Sequence, residues 1–182
     1  MDIPNQIETK RLTLRLFNWD DINFFSNTMK DNSVAENLKF FIKTENKKNP
    51  ENLFQKIIDS YDDSEPILAF LIVKKDTGNC IGSCGLIPST GTNEALCFYQ
   101  LLPRYRGSGF AIEAMKKLIE YAFLKVKLTK LITFVNPKSS KVWKVAERAG
   151  MKYMGQVHIS EISSTAMYFS LETAEFDAQQ LY

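Results

Sequence analysis

The chain has 182 residues, 45% of them hydrophobic, enough for one globular domain with a substantial core. Its 23 basic and 21 acidic residues are interspersed and leave a net charge of +2, which argues against a nucleic-acid-binding tail or a polybasic membrane segment. One histidine and three cysteines show no metal-ligand spacing, and the odd cysteine count suits reduced thiols. The first ten residues are polar, and the longest apolar run, residues 67–73, is too short to span a bilayer. A soluble, cytoplasmic protein is predicted.

Across residues 7–16, Leu12, Leu14 and Leu16 alternate with Thr13 and Arg15, the pattern of one half-buried strand. Asn18 or Asp20 caps a helix that carries Ile22, Phe25, Met29 and Phe24 on its inner side. Residues 43–49 read as a charged connection. A second helix starts near Pro50, led by Asn46, Asn49 or Asn52, with Leu53, Phe54, Ile57 and Ile58 as its apolar face. Residues 67–74 are a continuous apolar run, hence a central strand, and residues 76–79 make a turn. The chain returns over residues 80–87, where Gly82 and Gly85 predict a bulge or the close approach of another backbone. A turn at 89–93 leads into a strand at 95–102.

The next stretch, LLPRYRGSGFAIEAMKKLIEYAFLKVK from Leu101 to Lys127, organises the chain. It opens with a turn on Pro103, Gly107 and Gly109. Ala111, Ala114, Met115, Leu118, Ile119 and Ala122 then recur at i, i+3, i+4, i+7, i+8 and i+11, one face of a helix. Strand, basic glycine-containing loop and helix together aim several backbone N–H groups and a helix dipole at one point, an anion site. Gly107 and Gly109 allow close approach of the backbone, and Arg104 and Arg106 add positive charge. No Gly-Lys-Ser/Thr follows, so this is not a Walker loop. Ile112 stands where a dinucleotide fingerprint needs its third glycine.

Residues 131–135 form a short strand ended by Asn136 and Pro137. Ser139 or Ser140 caps a further helix with the stripe Val142, Val145, Ala146 and Ala149, and Gly150 sits at its C-terminal end. Residues 151–158 and 166–171 make a closing hairpin around a loop at 160–165. Strands followed by strand-loop-helix-strand, with no repeat or internal boundary, is mixed α/β.

Arg104-x-x-Gly107-x-Gly109, backed by Ala111 and Ala114, resembles the Q/R-x-x-G-x-G/A acyl-CoA pyrophosphate loop of the GCN5-related N-acetyltransferases (GNAT). The wording Tyr-Arg-Gly-x-Gly-Phe-Ala-x-Glu-Ala, and the opening Glu-Thr-x-Arg-Leu-x-Leu-Arg with its aspartate-led helix, are similar to the branch that includes the ribosomal-protein N-terminal (alanine) acetyltransferases. The resemblance extends over nearly the whole chain and is most specific at residues 104–114. It implies a single GNAT domain over residues 1–182, of class α/β (α+β). The expected sheet is mixed, mostly antiparallel and twisted, with about seven strands, splayed at the middle and flanked by about four helices. Acetyl-CoA is the implied acyl donor and an amine, on a peptide N-terminus or a small molecule, the acceptor. No metal, direct nucleic-acid contact or membrane contact is implied, and a homodimer is compatible with the pattern.

In that fold two adjacent parallel strands, here 95–102 and 131–135, part to admit the pantetheine arm. The resemblance puts the pyrophosphate on N–H groups from Arg106 to Phe110 and a backbone N–H near Leu101 at the thioester carbonyl. The implied acyl-CoA contacts are Leu101, Leu102, Arg104, Arg106, Gly107, Ser108, Gly109, Phe110, Ala111 and Ser139. The link between the first helices borders the acceptor groove, where Phe40 and Phe41 line the groove or pack in the core.

The chain departs from the family at catalytic positions. Relatives commonly read Glu-x-Gly-Tyr before the loop, where this chain has Leu96-Cys97-Phe98-Tyr99. Ser139 and Val142 stand at the places of an Asn-x-x-Ser pair, and Ala146 stands where many relatives carry a tyrosine. Glu94 is a base acting through water or a surface charge. Ser139 and Ser140 contact the pantetheine, donate a proton or cap the helix. Tyr99 lines the active site or fills the core. Glu147 reads as solvated, His158 as incidental, and Cys97 as a small core residue rather than a nucleophile. No general base is assigned. The implied activity is N-acetylation by direct attack on the thioester; the alternatives are an acyl-CoA-binding module with weak or no catalysis and a nucleotide-binding regulator.

Overall fold

Eight strands form one sheet in the computed structural model, which describes residues 3–30, 49–138, 142–160 and 163–180. They are β1 (Gln6–Glu8), β2 (Leu12–Leu16), β3 (Leu68–Lys74), β4 (Cys80–Pro88), β5 (Glu94–Leu101), β6 (Lys130–Val135), β7 (Lys152–Ile159) and β8 (Ser164–Glu172). Their order is β1-β2-β3-β4-β5-β6-β8-β7, and among the described strands β5 with β6 is the one parallel pair. The described α-helices are α1 (Ile22–Met29), α2 (Pro50–Asp59), α3 (Phe110–Tyr121), α4 (Trp143–Arg148) and α5 (Thr173–Gln180). None of them is long and apolar enough to cross a membrane.

Local signals account for most boundaries. The Asn18 side chain accepts from the Asp20 N–H and opens the short turn before α1. Asn49 does the same for α2, with Pro50 at its first position. Gly150, at φ 103°, ends α4 in the left-handed region. Ser139, Ser140, Asn46, Phe40, Phe41 and residues 43–48 lie outside the described residues.

The expectation of one strand over residues 7–16 is corrected to a tight hairpin. Thr9 interrupts it: its N–H donates to the Leu12 carbonyl at 2.9 Å, and its hydroxyl accepts from the Leu12 N–H at 2.8 Å. The short β1 is thus an eighth strand, beyond the seven expected. A fifth helix among the described residues, α5, follows β8. Its anchor is Phe176, buried and stacked on Phe123 with centroids 5.0 Å apart, a contact between distant segments. The last hairpin is tighter than expected, since Ile159 already pairs with Ser164.

The sheet separates two packed layers. Leu12, Leu14, Phe70, Ile72 and Cys97 lie under α3, whose stripe of Ala111, Ala114, Met115, Leu118 and Ile119, continued by Ala122 in the π-helical turn that follows, is buried throughout. Ala69, Leu71 and Phe98 face the other way and pack with Phe17, Phe25, Leu53, Phe54 and Ile57. A Cβ on Gly82 would collide with the Gln100 carbonyl oxygen, and one on Gly85 with that of Leu68. The register also shifts here, with Gly82 opposite Ile72 and Cys80 opposite Val73, so both expected features are present: a bulge and a close approach.

Candidate active site

β5 and β6 pair only where Glu94, Ala95 and Leu96 face Lys130, Leu131 and Ile132. Beyond Leu96, β5 keeps its antiparallel ladder with β4, while β6 keeps its ladder with β8. The two parallel strands therefore part in the middle of the sheet. The Leu102 N–H donates to the Ile81 carbonyl on the β4 side. Because successive residues alternate in a ladder, the N–H groups of Leu101 and Tyr99 face the opening.

The loop at the end of β5 sits at the mouth of this opening. A short 3₁₀ turn, Pro103–Tyr105, uses the N–H groups of Tyr105 and Arg106, which donate to Leu102 and Pro103. Gly107 and Gly109 follow at φ 86° and 80°, a region that strains any side chain. A Cβ at Gly107 would meet nothing within 4 Å, so the demand there is purely conformational. Gly109 caps the 12-residue α3, and the first bond of the helix runs from Glu113 to the Gly109 carbonyl. The N–H groups of Phe110, Ala111 and Ile112 consequently have no acceptor in the helix. Together with the glycines they form a positively polarised concavity.

Side chains around the loop divide by role. Arg106 Nε donates to the Leu101 carbonyl at 3.0 Å, lying along the open edge of β5. The Arg104 guanidinium is exposed and stacks over the Tyr105 ring at 4.9 Å. Ser108 is exposed and Leu102 half-buried, whereas Phe110 and Ala111 are buried and dock α3 on the sheet. The Tyr99 hydroxyl donates to the Val142 carbonyl at 3.0 Å, and burial holds the phenol above the ordinary tyrosine pKa. Cys97 is fully buried, with Sγ 3.8 Å from Met151 Sδ, and burial pushes its thiol up to about 12.

Other candidates lie elsewhere. Glu94 is at the opposite end of β5, seven residues or about 23 Å from Leu101. It faces Lys130 in register and lines a groove of about 960 Å³ shared with Glu8, Lys117 and Glu120. Ser139 and Ser140 lie outside the described residues. Glu147 and His158 are exposed. No group of three metal-ligating side chains occurs among the described residues.

Two features have no counterpart in the expectations. Gln100, 6% exposed, donates from Nε2 to Ser83 Oγ at 2.8 Å, while its buried Oε1 has no partner. Arg11 and Glu113 form an ion pair at 2.6 Å beside the loop. Burial by itself would raise the Glu113 carboxyl, but donors from Thr9 and Arg11 outweigh it and hold the group below the ordinary carboxylate range. Both residues stand in the family-like strings, yet nothing local in the sequence pairs them.

Residues 11–152 match the family model for the acetyltransferase (GNAT) domain. The chain belongs to the GNAT acetyltransferase family. Over 133 residues it is 29% identical to the uncharacterized N-acetyltransferase p20 of Bacillus licheniformis, a match covering 72% of this chain and 74% of that protein. It is 31% identical to the uncharacterized protein YkkB of Bacillus subtilis (strain 168) over 81 residues; this match covers 43% of the chain and spans less than half, 47%, of YkkB. Among solved structures, a GNAT acetyltransferase from Bacillus anthracis superposes with a TM-score of 0.75 at 18% identity, covering 93% of this chain and 99% of that one. A ribosomal-protein-S5-alanine acetyltransferase from Vibrio fischeri gives 0.73 at 18% identity, with 94% and 97% covered. A chimera of the spermidine N-acetyltransferase SpeG from Vibrio cholerae and hSSAT gives 0.74 at 22%, with 92% and 98% covered. At such identities these neighbours establish the shared GNAT fold.

Proposed function

We propose that this GNAT protein transfers the acetyl group of acetyl-CoA to a primary amine by direct attack of the amine on the thioester. The observation that carries the reading is the parting of β5 from β6 beside a loop of backbone donors at a helix N-terminus. The N–H groups of Gly107, Ser108, Gly109 and Phe110, with the charges of Arg104 and Arg106, hold the pyrophosphate. The open edge of β5 takes the pantetheine arm, and the Leu101 N–H polarises the thioester carbonyl. The amine nitrogen forms a bond to the carbonyl carbon and loses a proton to water. Collapse of the tetrahedral intermediate breaks the C–S bond, and the thiolate of CoA leaves and takes a proton.

The neutral, buried Cys97 supports transfer without an acyl-enzyme, because a thiol near pKa 12 is a poor nucleophile at neutral pH. The proposed partners are acetyl-CoA and an amine, either a peptide N-terminus or a small molecule, with no metal. The proposed setting is one domain over residues 1–182, in the cytoplasm. A second reading, an acyl-CoA-binding module with weak or no turnover, is favoured by Leu96, which stands where relatives commonly carry a glutamate.

Release of free CoA thiol is the measurement that tests the proposal, with acetyl-CoA and a panel of peptide N-termini, polyamines and other small primary amines. Turnover above the hydrolytic background with any of them supports the transferase. Calorimetric binding of acetyl-CoA without turnover across the panel supports the binding module, and absence of both rejects the two together.

A further inference from the structure

Arg11 reaches from the β1–β2 turn to the glycine loop. Its Nη1 donates to the Ser108 carbonyl at 3.0 Å, its Nε to Glu113 Oε2 at 2.6 Å, and its backbone N–H to Glu113 Oε1 at 2.7 Å. Its guanidinium also lies over the Phe110 ring, 4.4 Å from the centroid. The Thr9 hydroxyl donates to the same Glu113 Oε1 at 2.7 Å. One turn of the chain thus clamps the Glu113 carboxylate, and the guanidinium oriented by that carboxylate grips the carbonyl of the Ser108–Gly109 peptide.

A trans peptide is planar, with its C=O and N–H directed oppositely. Holding the Ser108 carbonyl toward Arg11 therefore turns the Gly109 N–H to the far side of the loop, away from the β1–β2 turn. Glycines at positive φ on both sides of Ser108 leave this peptide little intrinsic preference, so an outside anchor has to orient it. We propose that Arg11, oriented by Glu113, is a positioning residue that sets the Ser108–Gly109 peptide for phosphate binding. The inference rests on the reading of this loop as the acyl-CoA pyrophosphate site.

Simple electrostatics and the clamp predict opposite signs at Glu113. Removing a carboxylate beside an anion site should tighten anion binding if charge alone matters. Releasing the guanidinium should weaken it if the peptide plane matters.

The test titrates acetyl-CoA calorimetrically into the wild type, Arg11→Gln, Arg11→Lys and Glu113→Gln at one ionic strength. Labelling with 15N-glycine adds a direct readout, since the chain has 8 glycines and hence few signals. We expect Arg11→Gln and Glu113→Gln each to raise Kd about tenfold, the loss typical of one charge-assisted contact. Arg11→Lys should not restore affinity, because an ammonium lacks the fork that spans Glu113 and Ser108. The Gly109 amide should shift on binding in the wild type and shift less in the variants, while unchanged Gly78 and Gly91 signals mark those variants as folded. Affinity that is unchanged or tighter in Glu113→Gln, or full rescue by lysine, overturns the positioning role and leaves the loop reading standing. No binding by the wild type overturns the loop reading, and the inference with it.

Discussion

Tyr99 and Val142 meet across the split in the sheet: the phenol on β5 donates to the carbonyl oxygen just before α4, over 3.0 Å. Where β5 and β6 no longer pair, this bond helps to tie β5 to the segment that follows β6. Tyr99→Phe should cost about 1 kcal/mol in urea unfolding, the usual net worth of one such bond. It should also change the alkaline limb. The folded-state pKa of Tyr99 is raised by burial, so above about pH 10 the unfolded chain holds fewer protons and stability falls as pH rises. Tyr61 is shifted the same way by burial, so Tyr99→Phe should make that decline shallower without abolishing it.

Gly107 and Gly109 require positive φ, and an alanine there costs roughly 1–2 kcal/mol of backbone strain. The Gly107→Val, Gly109→Val double variant should therefore be less stable and should lose acetyl-CoA binding at temperatures where it remains folded. Calorimetry beside a thermal melt checks this. Equal affinity in a folded double variant would remove the loop from the binding site.

Arg104 and Arg106 differ in what they already hold. Arg106 also braces the Leu101 carbonyl, whereas Arg104 stacks on Tyr105. Alanine at either position should weaken acetyl-CoA by about 1–3 kcal/mol if its charge meets a phosphate. The loss should be larger at Arg106, where the edge of β5 is disturbed as well. Titration with dephospho-CoA and pantetheine fragments locates each loss along the ligand.

Cys97 should not carry the acetyl group. With its thiol near 12, only a trace of thiolate exists at neutral pH, and alkylation by iodoacetamide should become fast only in strong alkali. Intact-mass analysis after incubation with acetyl-CoA alone should show no adduct at Cys97, and Cys97→Ala should retain turnover. A kinetically competent adduct that disappears together with turnover in this variant would replace direct transfer by a two-step route.

Ser83 and Gln100 form a buried polar pair with one amide oxygen left over. Ser83→Ala strips the amide of its partner and should cost about 1–3 kcal/mol. Adding Gln100→Leu removes the stranded group and should recover most of that loss. A double-mutant cycle in urea reads the coupling; additive losses would show that the pair is not energetically linked.

The amino-acid order by itself determined the features that depend on a few neighbouring residues. The stripe of α3 was legible because a 3.6-residue period is a local property, and all six of its residues are buried. The cap regions were legible for the same reason, as Asn18 or Asp20 before α1 and Asn46, Asn49 or Asn52 before α2, and so was the turn on Pro103, Gly107 and Gly109; the structure selects Asn18 and Asn49 and gives both glycines positive φ. The string around Arg104, Gly107 and Gly109 pointed to the GNAT family, and the match over residues 11–152 bears that out. The tertiary structure alone decided what depends on partners far along the chain. The side chain of Thr9 divides one apparent strand into two, and α5 takes its anchor from Phe123 rather than from any marked stripe of its own. Arg11 and Glu113 are 102 positions apart, and no periodicity or spacing rule joins them. Their meeting is fixed by how α3 docks on the sheet, because a side-chain contact of that range exists only once the helix has packed on the face that carries Leu12 and Leu14.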